Sequence, residues 1–324
     1  MFLGSDDVAA QCLDVLALEG RVTLVVTQPR RRRGRSGQAT GTPVAQAAAR
    51  LGIETIEPGD VNAPECVARI AASSPRLLAV VAFGQILRRA VRESAPLGGL
   101  NLHFSLLPRW RGAAPVQRAI LAGDAVTGVA VQRIVAKLDA GPVVASSHLS
   151  IGPRDTTVGL MARLSALGAP LLAQTIDRAL AGEALTESPQ DESLVTYASK
   201  IARTEGDLDF AAEDAASLDR RIRAFGEAPG CRAVLLRADA SPLEILVREA
   251  ICEPGDGAEP GRVVSAAAAG IVVAATTGAL RITRLLRVGG KDVDARAFLN
   301  GFPVRTGDRV TRPAQPESSA TSAS

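Results

Sequence analysis

The sequence predicts an α/β protein: an open, mostly parallel sheet followed by a second domain built as a small β-barrel. In the first half, apolar β-branched runs alternate with helical patterns. One run, residues 77–82, is almost continuously apolar, which is typical of a strand buried on both faces of a parallel sheet. After about residue 230, short strand-like runs alternate with Gly-rich and Pro-rich turns, a pattern that favours a barrel.

The repeated strand–helix order of the first half has short connections, which indicates a sheet covered on both faces. The predicted strands are residues 1–3, 22–27, 53–56, 77–82, 100–103, 128–135 and 143–150. The predicted helices are residues 7–18, 44–51, 64–72 and 156–180. Pro64 suits a first helical turn, and Asp155 suits the N-cap of the long helix.

Composition shifts predict the domain boundaries. Residues 1–183 form the first domain, and the polar residues 184–205, poor in large apolar groups, form a linker. The barrel domain follows at 206–311, and the Pro/Ser/Ala-rich residues 312–324 form a disordered tail. Within the second domain, a helix at 212–225 precedes strands at 233–236, 243–251, 261–265, 271–275 and 280–287.

The net charge of +3 is too small to predict a polyanionic partner, but its distribution is informative. The five arginines of one short segment have no acidic residue near them, since none lies between residues 21 and 54; they are Arg30, Arg31, Arg32, Arg33 and Arg35. Such a segment is either a solvated run of charge or a contact with a phosphate backbone, and the missing acids favour the phosphate contact.

Composition also excludes several classes of protein. The four cysteines are scattered, which predicts reduced thiols and neither disulfides nor a zinc site; they are Cys12, Cys66, Cys231 and Cys252. No signal peptide opens the chain, and no apolar run reaches the roughly 18 residues that a membrane span needs. We therefore expect a soluble cytoplasmic protein with no membrane and no metal. Walker A and G-x-G-x-x-G nucleotide motifs are absent from the sequence.

Residues 101–117 concentrate the polar side chains that could perform chemistry. Asn101 and His103 are two apart on one predicted strand, so both point to the same face. An amide and an imidazole aimed together could stabilise an oxyanion and move a proton, although a strand with a wet polar face remains an equal alternative. Asp139, in a predicted turn, could orient His103 but is more often a simple turn residue. His148 is expected on a strand surface.

Several motifs, in order along the chain, resemble one family. They are Val26-Thr27-Gln28-Pro29, Ala82-Phe83-Gly84-Gln85-Ile86-Leu87, residues 101–117, Leu138-Asp139-Ala140-Gly141, Thr196-Tyr197-Ala198-Ser199-Lys200-Ile201 and Gly307-Asp308-Arg309. Together they make the chain similar, over nearly its whole length, to the formyltetrahydrofolate-dependent formyltransferases. The resemblance implies a Rossmann-like catalytic domain of the formyltransferase fold and an OB-like C-terminal barrel.

The resemblance also implies the reaction. The branch with the same arginine segment and barrel transfers the formyl group of 10-formyltetrahydrofolate to the α-amino group of methionine on initiator tRNA. The family's catalytic trio falls on Asn101, His103 and Asp139. A formyltransferase acting on a small amine, such as an amino-sugar nucleotide or glycinamide ribonucleotide, is the alternative. A catalytically silent RNA-binding module is a third reading, against which the intact trio argues. We expect a monomer.

The resemblance further implies binding residues. Folate would contact Phe83, Gly84, Gln85, Ile86 and Leu87, the segment of Ser105, Leu106, Leu107 and Pro108, and the 135–139 loop. The arginine segment would reach the acceptor stem of the tRNA, and the barrel would hold it. Two departures stand near the site: Gly4-Ser5-Asp6 replaces the family's usual Gly-Thr-Pro, and Lys137 replaces a glycine.

The arginine segment generates a first prediction. Replacing Arg30, Arg31, Arg32 and Arg33 with alanine should raise the KM for tRNA and flatten the dependence of that KM on salt, because fewer counterions are released on binding. Steady-state kinetics across a salt series measure both quantities. An unchanged salt slope would identify the segment as a solvated run of charge.

Overall fold

The computed structural model describes residues 1–32, 39–238 and 240–314. They divide into two compact units. The first contains Met1–Ala119, Asp124–Pro153 and Val158–Lys200; the second contains Ile120–Gly123, Arg154–Thr157 and the residues from Ile201 onward. Two of the predicted phosphate-binding arginines, Arg33 and Arg35, lie outside the described residues, as do residues 315–324 of the predicted tail.

The first unit alternates strands and helices. Its strands are β1 (Phe2–Gly4), β2 (Val25–Val26), β3 (Arg31–Arg32), β4 (Ala39–Thr40), β5 (Thr55–Ile56), β6 (Leu78–Val81), β7 (Gly99–His103), β8 (Arg111–Gly112), β9 (Val126–Arg133), β10 (Val143–Ser150) and β11 (Tyr197–Ala198). Its helices are α1 (Asp7–Ala17), α2 (Pro43–Leu51), α3 (Pro64–Ala72), α4 (Arg89–Arg92), α5 (Pro115–Ala122) and α6 (Thr157–Leu180). Helix α5 ends within the segment Ile120–Gly123, and α6 begins at the last residue of the segment Arg154–Thr157, both of which belong to the second unit.

The main sheet has the strand order β10-β9-β7-β6-β1-β2-β5. Strands β7, β6, β1, β2 and β5 pair in parallel, whereas β9 runs antiparallel to both β7 and β10. This confirms the predicted open, mostly parallel sheet. Because β9 runs antiparallel to β7, Gln132 near the end of β9 stands opposite Asn101 of β7.

Local sequence explains the helix ends and the core. Asp6 caps α1 by accepting from the Ala9 N–H, and Thr42 caps α2 in the same way from Ala45, directly before Pro43. All four residues of β6 are buried, and two of them, Leu78 and Val80, join a hydrophobic core with Leu3 of β1 and Ile70 of α3. The near-continuous apolar run at 77–82 is therefore a strand covered on both faces, as its composition predicts.

Two differences between the structure and the predicted elements concern the first unit's sheet and its C-terminal segment. The strand expected at 22–27 contains only Val25–Val26, the two residues that pair with β1 on one side and β5 on the other. The segment expected to be a linker, 184–205, contains β11, which pairs in parallel with β8 and belongs to the first unit as far as Lys200. Its polar composition reflects hydrogen bonds to the first unit that no local pattern reveals.

The second unit contains an antiparallel sheet with the order β14-β15-β16-β13-β12-β18, with β17 on β16. Its elements are α7 (Ala215–Phe225), β12 (Cys231–Arg237), β13 (Ala240–Glu253), β14 (Val263–Ala267), β15 (Gly270–Ala274), β16 (Ala279–Arg287), β17 (Val293–Asp294), α8 (Ala295–Gly301) and β18 (Arg309–Thr311). The two edges meet where the Val310 N–H donates to the Gly261 carbonyl and Val263 to Asp308. The sheet thus curls as in an OB-like barrel, confirming the prediction.

Among residues 1–32, 39–238 and 240–314, no helix combines the length and apolarity that crossing a bilayer requires. The same described residues contain no group of three or more His, Cys, Asp or Glu side chains arranged to hold a metal ion.

The pairing of β9 with β10 yields a stability prediction. A Cβ added at Gly128 would overlap the Ser147 carbonyl oxygen and the Leu106 side chain. We expect Gly128→Ala to lower the free energy of unfolding by about 1–3 kcal/mol, since this backbone oxygen cannot move without breaking the register. Denaturant unfolding measures the change. Gly59→Ala is the matched control, because a Cβ there meets no atom within 4 Å; equal effects at both sites would contradict the packing argument.

Candidate active site

Strand β7 carries two polar side chains toward a cavity of about 670 Å³ in the first unit. Asn101 and His103 alternate with the buried Leu100 and Leu102, so the polar pair shares one face of the strand. The cavity is lined by Asp6, Val80, residues 82–87, residues 101–104, residues 112–113 and 115–117, residues 132–139, and Met161. A volume of this size suits a small-molecule ligand.

The His103 ring is buried, with 6% of the residue exposed, and its two nitrogens have different surroundings. Nε2 lies 2.8 Å from the carbonyl oxygen of Trp110. A carbonyl only accepts, so Nε2 donates and carries a proton. Nδ1 lies 3.7 Å from Oδ2 of Asp139. Nδ1 is therefore the nitrogen available for chemistry, and a carboxylate stands beside it to stabilise a positive imidazole ring.

Asp139 is held in place by two hydrogen bonds from different segments. Its Oδ2 accepts from the backbone N–H of Gly112 at 2.9 Å, and its Oδ1 accepts from the side-chain amide of Gln132 at 2.9 Å. The Asp139 backbone has a φ of +50°, which directs the side chain back toward β7. The fold thus places the turn carboxylate beside His103, a juxtaposition that the turn sequence alone does not favour.

The Asn101 side chain is half-buried and lines the cavity. Asn101 stands opposite Gln132 in the β7–β9 register. Within the described part of the chain, the Asn101 amide makes no hydrogen bond to another protein group. Its N–H donors can therefore meet a ligand, and they share the cavity with Nδ1 of His103.

Trp110 provides the backbone carbonyl that accepts from Nε2 of His103. Its backbone has a φ of +64°, and its N–H donates to Thr196 Oγ1 at 2.9 Å. Asp124 accepts from the indole Nε1 at 2.8 Å and forms a bidentate pair with Arg109, whose guanidinium lies 4.4 Å from the indole centroid. The Asp124 hydrogen bond raises the pKa of Arg109. This arrangement holds the Trp110 carbonyl where it accepts from the imidazole.

The predicted folate loop lines the cavity as a group, through Phe83, Gly84, Gln85, Ile86 and Leu87. The backbone of the loop is fixed from outside. Gln28 Nε2 and Ser5 Oγ both donate to the Phe83 carbonyl, and the Gln85 side chain accepts from Val61 N–H at 2.8 Å. The Gln85 side chain is therefore engaged in holding the loop. The Ile86 side chain is 70% exposed and free to meet a ligand.

The structure gives physical roles to the unusual Gly4-Ser5-Asp6 segment. Ser5 ties the folate loop to the Gln28 N–H, and Asp6 caps α1 at the cavity wall. Burial raises the pKa of Asp6. The departure from the family's usual residues thus keeps a hydroxyl and a helix cap at this corner.

The second predicted folate segment stands apart from this cavity. None of Ser105, Leu106, Leu107 and Pro108 is among the residues that line it, although the neighbouring Phe104 is. The Ser105 hydroxyl is buried and donates to the Arg109 carbonyl at 2.6 Å. Leu106 packs over Gly128. In this structure the segment supports β9 and the Trp110 turn.

The described part of the arginine segment is short. Arg30 donates to Glu57 through its backbone N–H at 3.2 Å and its Nε at 3.4 Å. Arg31 and Arg32 form β3, which pairs antiparallel with β4. The Arg30 side chain is 65% exposed, so its pair with Glu57 is solvent-screened.

The structure contains a polar network near Asp139 that the sequence did not predict. The Arg111 side chain, 1% exposed, donates to Gln190 at 2.9 Å and to Glu192 at 2.8 Å. Glu192 also pairs with Lys137 at 2.7 Å. Arg111 first, and Lys137 second, lower the pKa of the Glu192 carboxyl to about 2. Lys137 therefore forms an ion pair with a carboxylate 55 residues further along the chain, which no local motif signals.

Comparisons with known proteins identify the family of the chain. Residues 4–176 match the formyl transferase family, and residues 200–303 match the formyl transferase C-terminal domain. The methionyl-tRNA formyltransferase of Aromatoleum aromaticum is 42% identical over 309 residues, which cover 95% of each chain. That of Halorhodospira halophila is 42% identical over 96% of this chain and 98% of its own.

Solved structures share the fold at low identity. HypX from Aquifex aeolicus superposes with a TM-score of 0.59 at 18% identity, covering 87% of this chain and 47% of that one. The chain thus spans about half of HypX. WlaRD, a sugar 3N-formyl transferase solved in the presence of dTDP and 5-N-formyl-THF, superposes with a TM-score of 0.59 at 15% identity, covering 88% of this chain and 95% of that one. With a matching domain model over more than half of its length and near-full-length relatives above 40% identity, the chain belongs to the formyl transferase family.

Proposed function

We propose that this chain transfers the formyl group of 10-formyltetrahydrofolate to the α-amino group of methionine esterified to initiator tRNA. The observation that carries the proposal is the meeting of Asn101, His103 and Asp139 in one cavity. The near-full-length relatives named methionyl-tRNA formyltransferase support the choice of acceptor.

The reaction develops a negative charge that hydrogen-bond donors in this site can stabilise. The amine nitrogen attacks the formyl carbon, and the carbonyl oxygen becomes an oxyanion. The Asn101 amide and the protonated Nδ1 of His103 are the donors available to that oxygen, because Nε2 already donates to Trp110. Asp139, 3.7 Å from Nδ1, stabilises the charged imidazole without any change in its own hydrogen bonds.

Proton transfer completes the balance of the step. The new bond joins the amine nitrogen to the formyl carbon, and the bond from that carbon to N10 of the folate breaks. The nitrogen loses one proton and N10 gains one. His103 and Asp139 are the titratable pair that can relay this proton, because they face the same cavity as Asn101.

We place the formyl donor between the 83–87 loop and the 135–139 loop, both of which line the cavity. Ile86 and Leu138 are 70% and 65% exposed, so each offers an apolar surface to the aromatic rings of a folate. We keep the proposed folate contact of residues 105–108, which directly follow Phe104 of the cavity lining.

The proposed partner is a tRNA, met through the arginine segment and the second unit. Arg30, at the start of that segment, is 65% exposed and its pair with Glu57 is solvent-screened, so its guanidinium is accessible to a phosphate. We further propose that the enzyme acts as a monomer in the cytoplasm. The catalytic domain would extend to Lys200, with the OB-like domain after it.

An acceptor assay tests the function. Purified protein and 10-formyltetrahydrofolate are mixed with initiator Met-tRNA, and N-formylmethionine is measured after deacylation. Uncharged tRNA, a dTDP-amino sugar and glycinamide ribonucleotide serve as comparison acceptors. We expect turnover of Met-tRNA alone; turnover of a small amine without formylation of Met-tRNA would reverse the assignment.

The assigned chemistry predicts a contrast between the two histidines. His103→Ala and Asn101→Ala should each lower kcat by about 10²–10³, because each removes a donor to the oxyanion. His148→Ala is the matched control, since His148 is exposed on β10 and lies outside the cavity lining. Single-turnover formylation measures the effect. Unchanged kcat in His103→Ala would refute the mechanism.

A further inference from the structure

We propose that Gln190 is a positioning residue of this enzyme: it holds the backbone of the turn that carries the Asp139 carboxylate. The inference rests on the proposed function, and it concerns a residue in the segment whose sequence resembles a linker. Gln190 lies outside the cavity lining and therefore acts through its neighbours.

The Gln190 amide spans the turn that carries Asp139. Its Nε2 donates to the carbonyl of Asp139 at 2.9 Å and to that of Gly141 at 2.7 Å. A third acceptor, Oε1 of Gln132, lies at 3.4 Å. One side chain thus holds the backbone on both sides of Ala140, in a turn where Asp139 has a φ of +50°. Such a backbone persists only when its surroundings hold it in place.

The third contact adds a weak preference for one orientation of the Gln132 amide. Gln132 donates from Nε2 to Oδ1 of Asp139, and the reversed amide would place an oxygen against that carboxylate. The two Nε2 hydrogens of Gln190 already meet the Asp139 and Gly141 carbonyls, so Oε1 of Gln132 receives only a shared, bifurcated bond at 3.4 Å. That weak contact still favours the orientation in which Gln132 donates. Gln132 is buried, so a reversed amide would be costly to tolerate.

Arg111 determines the direction of the Gln190 amide in turn. Its Nε donates to Oε1 of Gln190 at 2.9 Å, and an arginine can only donate. Glu192 anchors the same guanidinium at 2.8 Å. The hydrogen bonds therefore run in one direction, from the buried cation through two amides to the carboxylate. Reversing the Gln190 amide would set its N–H groups against the Arg111 donor, and reversing the Gln132 amide would set its oxygen against the Asp139 carboxylate.

Two variants of Gln190 separate its donated hydrogen bonds from its other properties. Gln190→Glu keeps an acceptor for Arg111 but loses both N–H donors. Gln190→Met keeps the side-chain length and adds no charge. We expect both to lower kcat by about tenfold to hundredfold with unchanged KM for Met-tRNA, because a misdirected carboxylate no longer supports His103. Agreement between the two excludes added charge as the cause.

The matched control is Gln46→Glu. Gln46 is exposed on α2 and donates to a backbone carbonyl at 3.0 Å, so the same substitution removes a comparable bond away from the cavity lining. Its kcat should equal that of the wild type. Circular dichroism melting of each variant ensures that the comparison is made between folded proteins.

A double-mutant cycle with Asp139→Asn distinguishes positioning from a merely structural role. If Gln190 acts through Asp139, then Gln190→Glu in the Asp139→Asn background should lower single-turnover rates by less than about twofold. Losses that multiply fully, a raised KM with unchanged kcat, or wild-type kcat in both Gln190 variants would overturn the proposal.

The same variants are assayed on whichever amine the wild-type protein formylates, so the failure of one proposal is distinguishable from that of the other. Wild-type turnover of a small amine alone would refute the tRNA acceptor and leave the Gln190 comparison intact. A wild-type protein that formylates none of the acceptors would overturn both.

Discussion

The Asp139 carboxylate is the group on which the site depends. A buried carboxylate must be given hydrogen-bond donors, and here they come from Gly112 of β8 and Gln132 of β9, two separate segments that follow β7 in the chain. The hydrogen bonds to this carboxylate connect β8, β9 and the 139–141 turn. The position of the imidazole follows, since His103 is held between this carboxylate and the Trp110 carbonyl.

Much of the fold follows from local sequence. The buried strand β6, the caps of α1 and α2 and the long helix α6 are each set by residues within a few positions, so periodicity and turn residues predict them. The edges of elements depend on partners instead. Strand β2 is two residues long because only those residues find neighbours on both sides.

The site divides in the same way. Asn101 and His103 share a strand face, which alternation alone predicts. Asp139 needed the fold, since nothing local distinguishes it from an ordinary turn aspartate. Gln190 and Arg111 are beyond local patterns altogether, because their partners lie 49 to 81 residues away. Backbone outliers are equally invisible: Ala82, Trp110 and Asp139 have positive φ and adjoin the site, and none is a glycine.

The pairing of β8 with β11 changes how a minimal catalytic fragment should be defined. A fragment ending at residue 183, where the composition shifts, would lack the hydroxyl that holds Trp110, the strand beside Gly112 and the amide beneath the 139–141 turn. It would retain every residue of the trio and lose the scaffold that aims them. The residues that hold the candidate site therefore extend to about residue 200, where the first unit ends.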